Sequence, residues 1–347
     1  MELALKAATG YIVCMMKNTP EILIILNPVA GKGKAGERLP EIQRLMAAAG
    51  LRFDLRLTER VGHATELAEA AAALGYGIVV AAGGDGTVNE IVNGLMRAKN
   101  AGKSVPALAA FSVGRGNDFA YGADLPGALE ACIDVLRKGE RRAMDVGFVR
   151  GGDFPDGKYF ANGMGVGFDT IVGLEAAKLR HVHGFMAYVI GALRTFIIFP
   201  RAPRVRLAYD GVVLEQKSTQ VSIMNGKRMG GTFFMAPDAE NHDGLFDLCV
   251  AENLNRREMV DLMVRYTKGT QAGHKKIKTM RATGLDITAP DGGLIVHADG
   301  ETICIDGRAL HVECMASALT MLCDPGLVAR TRAAAAAAKA SNRDSKA

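Results

Sequence analysis

Two hydrophobic rhythms divide the chain. Up to about residue 145, short apolar runs alternate with stretches whose apolar positions recur every three or four residues. Glu21–Leu26, Ile78–Ala82 and Ala107–Phe111 predict strands covered on both faces. Leu51, Phe53, Leu55 and Leu57 alternate with Arg52, Asp54 and Arg56, the pattern of a half-exposed strand. Helical spacing is found from about Arg38 to Ala49, beyond Gly62 through Leu67, Ala68 and Ala71, and at Val88, Ile91, Val92 and Leu95. A further helix opens at Pro126 and runs through Leu136. Strands alternating with helices predict a doubly wound parallel α/β sheet. Its strand ends at Asn27, Gly83 and Gly114 then face one crevice, the place where such sheets bind ligands.

After Asp145 the rhythm shortens. Val205–Gln216 reads as two strands about Asp210-Gly211, a two-residue hairpin signal, and Ile303–Val312 repeats it about Asp306-Gly307. Between them Gln220–Met224, Gly244–Val250, Ile277–Arg281 and Gly293–Val296 read as short strands, and Gly163–Gly167 as a tight bend. This pattern predicts an antiparallel β-sandwich, interrupted by helical stretches at about Thr170–Phe199 and Arg256–Lys268. The expected division is an α/β nucleotide domain over residues 20–145 and a β-sandwich domain over 146–309. A segment at about 310–327 returns to the first domain, and 1–19 and 331–347 are loose termini. Met15 or Met16 is a second candidate for the natural start.

Composition narrows the class without changing this picture. The length of 347 residues suits about two domains, and 49% hydrophobic with 23% charged residues permits a sizeable core. A net charge of +5, spread along the chain, gives no argument for nucleic acid. The six cysteines lack paired spacing and read as reduced, mostly buried thiols of a cytoplasmic protein. No secretory signal is evident. The most apolar stretch, Phe185–Phe199, contains Arg194 and is shorter than the ~20 residues of a span. Its stripe of Phe185, Tyr188, Val189, Ala192 and Phe196 reads as packing on the sandwich, with a lipid-facing wall as the rival. His181 and His183 diverge on a helix and make a poor metal pair.

The chemistry concentrates at Gly83-Gly84-Asp85-Gly86-Thr87, between an apolar strand and a helix. Glycines let the backbone approach a ligand, and the helix start offers amides and a positive dipole end to a phosphate. Asp85, a carboxylate at a phosphate's place, fits a bridging divalent cation or a proton acceptor. Other phosphate motifs fail: Arg97 stands where a P-loop ending in Gly102-Lys103-Ser104 needs glycine, and Phe168 where a dinucleotide fingerprint from Gly163 needs one. Asn117-Asp118 is equally a helix cap, and Asp299-Gly300-Glu301 equally a hairpin turn.

Four blocks occur in order: Asn27-Pro28 with Gly31-Lys32; Gly83–Thr87 with Asn89-Glu90; Gly114 with Gly116-Asn117-Asp118 and Ala120; and Asp299-Gly300-Glu301. Together, over about residues 20–325, they resemble the soluble diacylglycerol kinase and sphingosine kinase catalytic family, in its bacterial lipid-kinase branch. The resemblance implies an α/β nucleotide domain with a β-sandwich, and an ATP- and magnesium (Mg2+)-dependent kinase acting on a lipid hydroxyl, diacylglycerol first. It implies that Asn27, Gly83, Gly84, Gly86, Thr87 and Asn89 bind ATP, and that Lys32, Asp85, Asp118 and Asp145 hold magnesium and water. Asp243 matches a loop that can hold a second magnesium, and Glu301 a general base; Asp85 is the other candidate for that proton. Arg115 departs from the pattern, where threonine is usual, and beside Asn117 it reads as a phosphate or head-group contact. The implied partner is a membrane lipid at the inner leaflet, met by peripheral association; a homodimer is compatible with the sequence. An NAD kinase-like or other small-molecule kinase, and a nucleotide or lipid sensor without catalysis, are the alternatives.

Overall fold

The computed structural model describes residues 21–114, 116–179, 185–198, 201–326 and 329. The expected loose termini, Arg115, His181 and His183 lie outside the described residues, as do the side chains of Phe185, Tyr188 and Val189. The chain forms two compact units, Met1–Gly114 with Asp124–Arg142 and Leu319–Ala347, and Arg115–Ala123 with Ala143–Ala318.

The first unit is built on parallel strands. β1 (Ile22–Leu26) lies between β2 (Phe53–Leu57) and β3 (Ile78–Gly83), and β3 pairs β4 (Ala107–Ser112). Met321 adds a parallel pair beside Leu108. The connections are helical: α1 (Lys34–Glu37), α2 (Leu39–Ala48), α3 (His63–Leu74) and α4 (Asp85–Asn100). Alternate strand residues Ile22, Ile24, Leu26, Ile78, Val80 and Ala82 share a core with Ile42 and Met46 of α2 and with Leu129, Ile133 and Leu136 of α6 (Leu129–Lys138). Leu23, Ile25, Val79 and Ala81 are buried on the opposite face, so β1 and β3 needed apolar residues at every position. The helix expected over about 38–49 is α2, Leu39–Ala48, with Pro40 in its first turn; the short α1 ahead of it was not expected. The helix expected from Pro126 begins three residues later, at Leu129.

The strands of the second unit pair antiparallel. One sheet runs β14 (Glu301–Gly307), β13 (Leu294–Ala298), β7 (Gly163–Gly167), β9 (Val212–Met224), β10 (Phe246–Glu252), β11 (Ile277–Ala282). The other contains β8 (Arg204–Tyr209), β12 (Gly284–Thr288) and β15 (Ala309–Leu322), together with the first half of β9. β5 (Arg141–Gly151) pairs β6 (Phe154–Phe160). Strand β9 thus serves both sheets, pairing through Lys217 with β8 and from Gln220 onward with β7 and β10. Phe160 stacks on Phe246 at 5.6 Å inside the core they share with Val166, Leu207 and Ile287. Three further helices belong to this unit: α5 (Asp118–Gly122), α7 (Phe168–Ala177) and α8 (Phe185–Ile198); α9 (Arg256–Lys268) completes the set and starts at a capping box of Asn255 and Glu258. The single stretch expected at 170–199 is therefore two helices.

Two turn expectations need correction. Asp306-Gly307 does not close a hairpin: β14 pairs β13, whereas β15 pairs β12. Asp306 Oδ1 instead accepts from Gly293 N at 2.9 Å. The residues that do adopt the left-handed turn are Asp210 (φ 44°) with Gly211 (78°), and Asp299 (φ 47°) with Gly300 (84°). Gly163–Gly167, expected as a tight bend in a sheet, is in the sheet but as strand β7, paired with β9 and β13.

Candidate active site

The glycine turn is assembled from three strand ends of the first unit. In this strand order the chain leaves β1 toward β2 and then crosses back to β3, so the carboxyl ends of β1 and β3 form a switch point. Asn27 follows β1 there, and its amide donates to Ala82 O at 3.0 Å. Its side-chain Nδ2 donates to Thr87 Oγ1 at 3.3 Å, while Oδ1 accepts from Val29 N at 3.2 Å and fixes the Pro28 turn. Thr87 folds back over Gly83 so closely that a Cβ on Gly83 would lie 2.3 Å from its Oγ1. Gly84 caps α4 without a side-chain acceptor, and a Cβ there would lie 3.6 Å from Gly114 Cα. Gly31, at φ 64°, lies against Val113 O. Lys32 follows in the same turn at φ 67°. The sequence-expected residues Asn27, Lys32, Gly83, Gly84, Gly86, Thr87 and Asp85 thus all belong to this region, and Gly114 closes its third side.

This turn fits a nucleotide phosphate. Nothing lies within 4 Å of the position a Gly86 Cβ would take, so the turn is open on that side. Asp85 sits in the first turn of α4, where the helix dipole favours an anion. Asn89 is one turn further in and buried, its Oδ1 accepting from Asn93 Nδ2 at 3.2 Å.

The remaining site residues belong to the second unit and fall into three groups. Asn117 (φ 51°) precedes Asp118, whose carboxylate accepts from Gly231 N at 3.0 Å. Arg228 Nε lies 2.9 Å from Asp118 Oδ1 by distance alone; its aligned bond runs from Nη2 to Gly116 O, at 3.0 Å. The guanidinium also covers the Tyr121 ring at 4.0 Å. Asp145 is wholly buried; Oδ1 accepts from Ser317 N and Oδ2 from Gly244 N at 2.6 and 2.7 Å. Beside it Asp243 pairs with Arg281 and accepts from Leu245 N at 3.1 Å. Asp145, on β5, is thus tied through Gly244 to the loop that carries Asp243, and each carboxylate is held by protein donors.

Glu301 makes the third group, in an ion pair with Lys158. Asp299, two residues before it, accepts from three consecutive amides, Ala161, Asn162 and Gly163, at 2.6, 3.0 and 2.9 Å. The block is both a hairpin turn and the mount of a carboxylate. Lys158, Arg228 and the binding role of Asp299 were not read in the sequence. Their partners are far away along the chain, 143 residues in the case of Lys158, and no local pattern marks them.

Among the described residues no three His, Cys, Asp or Glu side chains converge as a metal cage. Asp85, a carboxylate in the first turn of α4 beside the open glycine turn, is a donor of the kind that would hold a magnesium carried by phosphates. The five described cysteines are free and buried. Burial pushes the Cys132 and Cys249 thiols up to about 11. No helix of the described residues is long and apolar enough to cross a membrane.

Comparison with known proteins agrees with this architecture. Residues 21–149 match the diacylglycerol kinase catalytic domain, and 162–323 the YegS C-terminal NAD kinase beta sandwich-like domain. A diacylglycerol kinase of Staphylococcus aureus is 31% identical over 281 residues, covering 80% of this chain and 85% of that protein. A crystal structure of a diacylglycerol kinase from Bacillus anthracis superimposes with a TM-score of 0.67 at 22% identity, over 89% of this chain and 99% of that one. An NAD kinase from Archaeoglobus fulgidus, solved with ATP, shares the fold with a TM-score of 0.50 at 15% identity, over 88% and 95% of the two chains.

Proposed function

The chain belongs to the diacylglycerol kinase catalytic family, and from that premise we propose that this kinase transfers the γ-phosphate of ATP to the hydroxyl of a membrane lipid, diacylglycerol before others. The observation that carries the reading is the glycine turn at the β1/β3 switch point, locked by Asn27 and Thr87 and open at Gly86. Phosphoryl transfer asks a protein mainly for placement and for charge at the phosphates. The amides of the turn and the start of α4 bind and orient the phosphates; Lys32 adds a cation in the Asn27 loop. Magnesium, when bound with the nucleotide, neutralises phosphate charge, and Asp85 would hold it.

The acceptor hydroxyl must lose a proton. Glu301, mounted by Asp299 and held by Lys158, is the base we favour, with Asp85 as the rival. Arg228 fixes the Asp118 loop, and Asn117 with it. Substrate delivery is at the inner leaflet: Leu193, Ile197 and Ile198 of α8 are 59%, 72% and 59% exposed, an unusual apolar load for a water-facing helix.

The test is a panel of diacylglycerol, sphingoid base, polyprenol and NAD with labelled ATP and purified protein. Lipid-stimulated turnover is expected, with Asp85→Asn and Glu301→Gln each lowering kcat by about 10²-fold or more. Phosphorylation of NAD alone would transfer the assignment to the NAD kinases, whose fold this chain shares. Nucleotide binding without transfer to any acceptor would make the protein a sensor.

A further inference from the structure

We propose that Asp169 and His297 form a positioning relay for the turn that carries Glu301. The inference rests on the kinase reading above and extends it to two residues of the second unit outside the family's motif blocks. His297 lies in β13, opposite Gly165 of β7 and Thr302 of β14. Its Nδ1 accepts from Gly300 N at 3.4 Å, a long bond to the middle residue of Asp299-Gly300-Glu301. Its other nitrogen, Nε2, lies 3.7 Å from Asp169 Oδ2.

Asp169 opens α7. Oδ1 accepts from Thr170 N at 2.7 Å and fixes the side chain against the helix start. Oδ2 is buried and has no hydrogen-bond partner. A buried carboxylate oxygen left open is costly, and the imidazole is the polar group in front of it. Both side chains are largely shielded, 16% exposed for His297 and 14% for Asp169. The space they use is cleared by Gly165, where a Cβ would lie 2.1 Å from Asp169 Oδ2 and 2.6 Å from His297 Nε2. Glycine at 165 is thus required by the pair.

The network assigns the tautomer. Nδ1 accepts an amide hydrogen, so the ring proton of neutral His297 is on Nε2 and points at Asp169. Asp169 orients the ring, the ring holds the Gly300 amide, and Asp299 holds the other side of the same turn through Ala161, Asn162 and Gly163. Glu301 is the next residue. The carboxylate beside the ring is Asp169, and the Glu301–Lys158 pair follows the turn that the ring holds.

The direct test is the ring tautomer, read from long-range ¹H–¹⁵N spectra of the histidine-labelled full chain at neutral pH. The Nε2–H form is expected for His297, and Asp169→Ala is expected to shift its ring signals. An Nδ1–H form, or signals indifferent to Asp169→Ala, overturns the relay whether or not the protein proves to be a lipid kinase.

Kinetics supply the second arm. His297→Ala and Gly165→Ala are expected to lower kcat about tenfold, with KM for ATP and lipid unchanged. His297→Asn keeps an acceptor near the Nδ1 position, and it is expected to restore kcat to within about twofold of wild type. Wild-type rates in His297→Ala, or a His297→Asn variant as slow as His297→Ala, overturn the relay. A wild type inactive on every lipid fails the kinase reading, and the tautomer then decides the relay alone.

Discussion

Asp247 shows how one residue can oppose the stability of its own fold. Burial pushes its carboxyl up to about 6, against which Arg281 works, while Asp243, Asp238 and Glu240 add repulsion. Its Oδ2 is buried without a hydrogen-bond partner. The native state therefore holds a proton that the unfolded chain, at the ordinary value of 3.8, releases. Between about pH 4 and pH 6 the folded form binds more protons than the unfolded one, so stability falls as pH rises through that window. Above it the cost is present in full. Asp247→Asn is expected to raise Tm at pH 7.5 in chelator and to flatten the pH dependence from 4 to 6; an unchanged profile refutes the assignment. Legibility at this scale was mixed. Asp85 and Thr87 were legible as parts of the glycine turn because they lie inside it, whereas the bond from Asn27 to Thr87 spans 60 residues and came from folding. Lys158 and Arg228 were not legible, since a lone cation in a strand or loop carries no local sign of a partner more than a hundred residues away.

At the scale of elements, periodicity identified the parallel strands and their crossover helices, because burial on both faces imposes an uninterrupted apolar run. It failed where two structures share one local signal. Asp306-Gly307 and Asp299-Gly300 are the same dipeptide class, yet only the second takes positive φ at both residues and joins paired strands. Helix contact is a further property that the periodicity of one helix does not reveal. Gly94 of α4 meets α3 so closely that a Cβ would lie 2.2 Å from Thr65 O and 2.9 Å from Ala68 Cβ. Gly94→Ala therefore forces α3 away. Overpacking costs of roughly 1–3 kcal/mol outweigh a helix-propensity gain of at most about 1 kcal/mol. The denaturation midpoint is expected to fall with an unchanged m-value, and a midpoint at or above wild type contradicts the close packing.

For the molecule as a whole, the apolar outer face of α8 is the feature without a purpose inside the fold. Leu193 and Ile197 lie one turn apart on the exposed side of α8 with Ile198 and the exposed Arg194 beside them, and Arg256 Nη2 reaches Ile197 O at 2.7 Å, so cations border the apolar residues. A basic-edged apolar ridge suits an anionic bilayer. Ile197→Asp is expected to lower co-sedimentation with anionic vesicles several-fold and leave turnover of a dispersed short-chain diacylglycerol unchanged. Equal binding by both proteins removes α8 from the docking surface.

The change of rhythm near residue 145, the α/β and sandwich character of the two parts and the glycine turn between strand and helix were all legible along the chain. Each is written in local periodicity or in adjacent glycines, and backbone sterics and burial act over that range. Folding assigned the rest. Asp145 on β5 is tied to the Asp243 loop, Asp299 gathers three amides, Lys158 meets Glu301, and Asp169 faces His297 across a glycine. These meetings depend on strand register and on which sheet each half of β9 enters, and register is a property of paired strands that no single segment encodes.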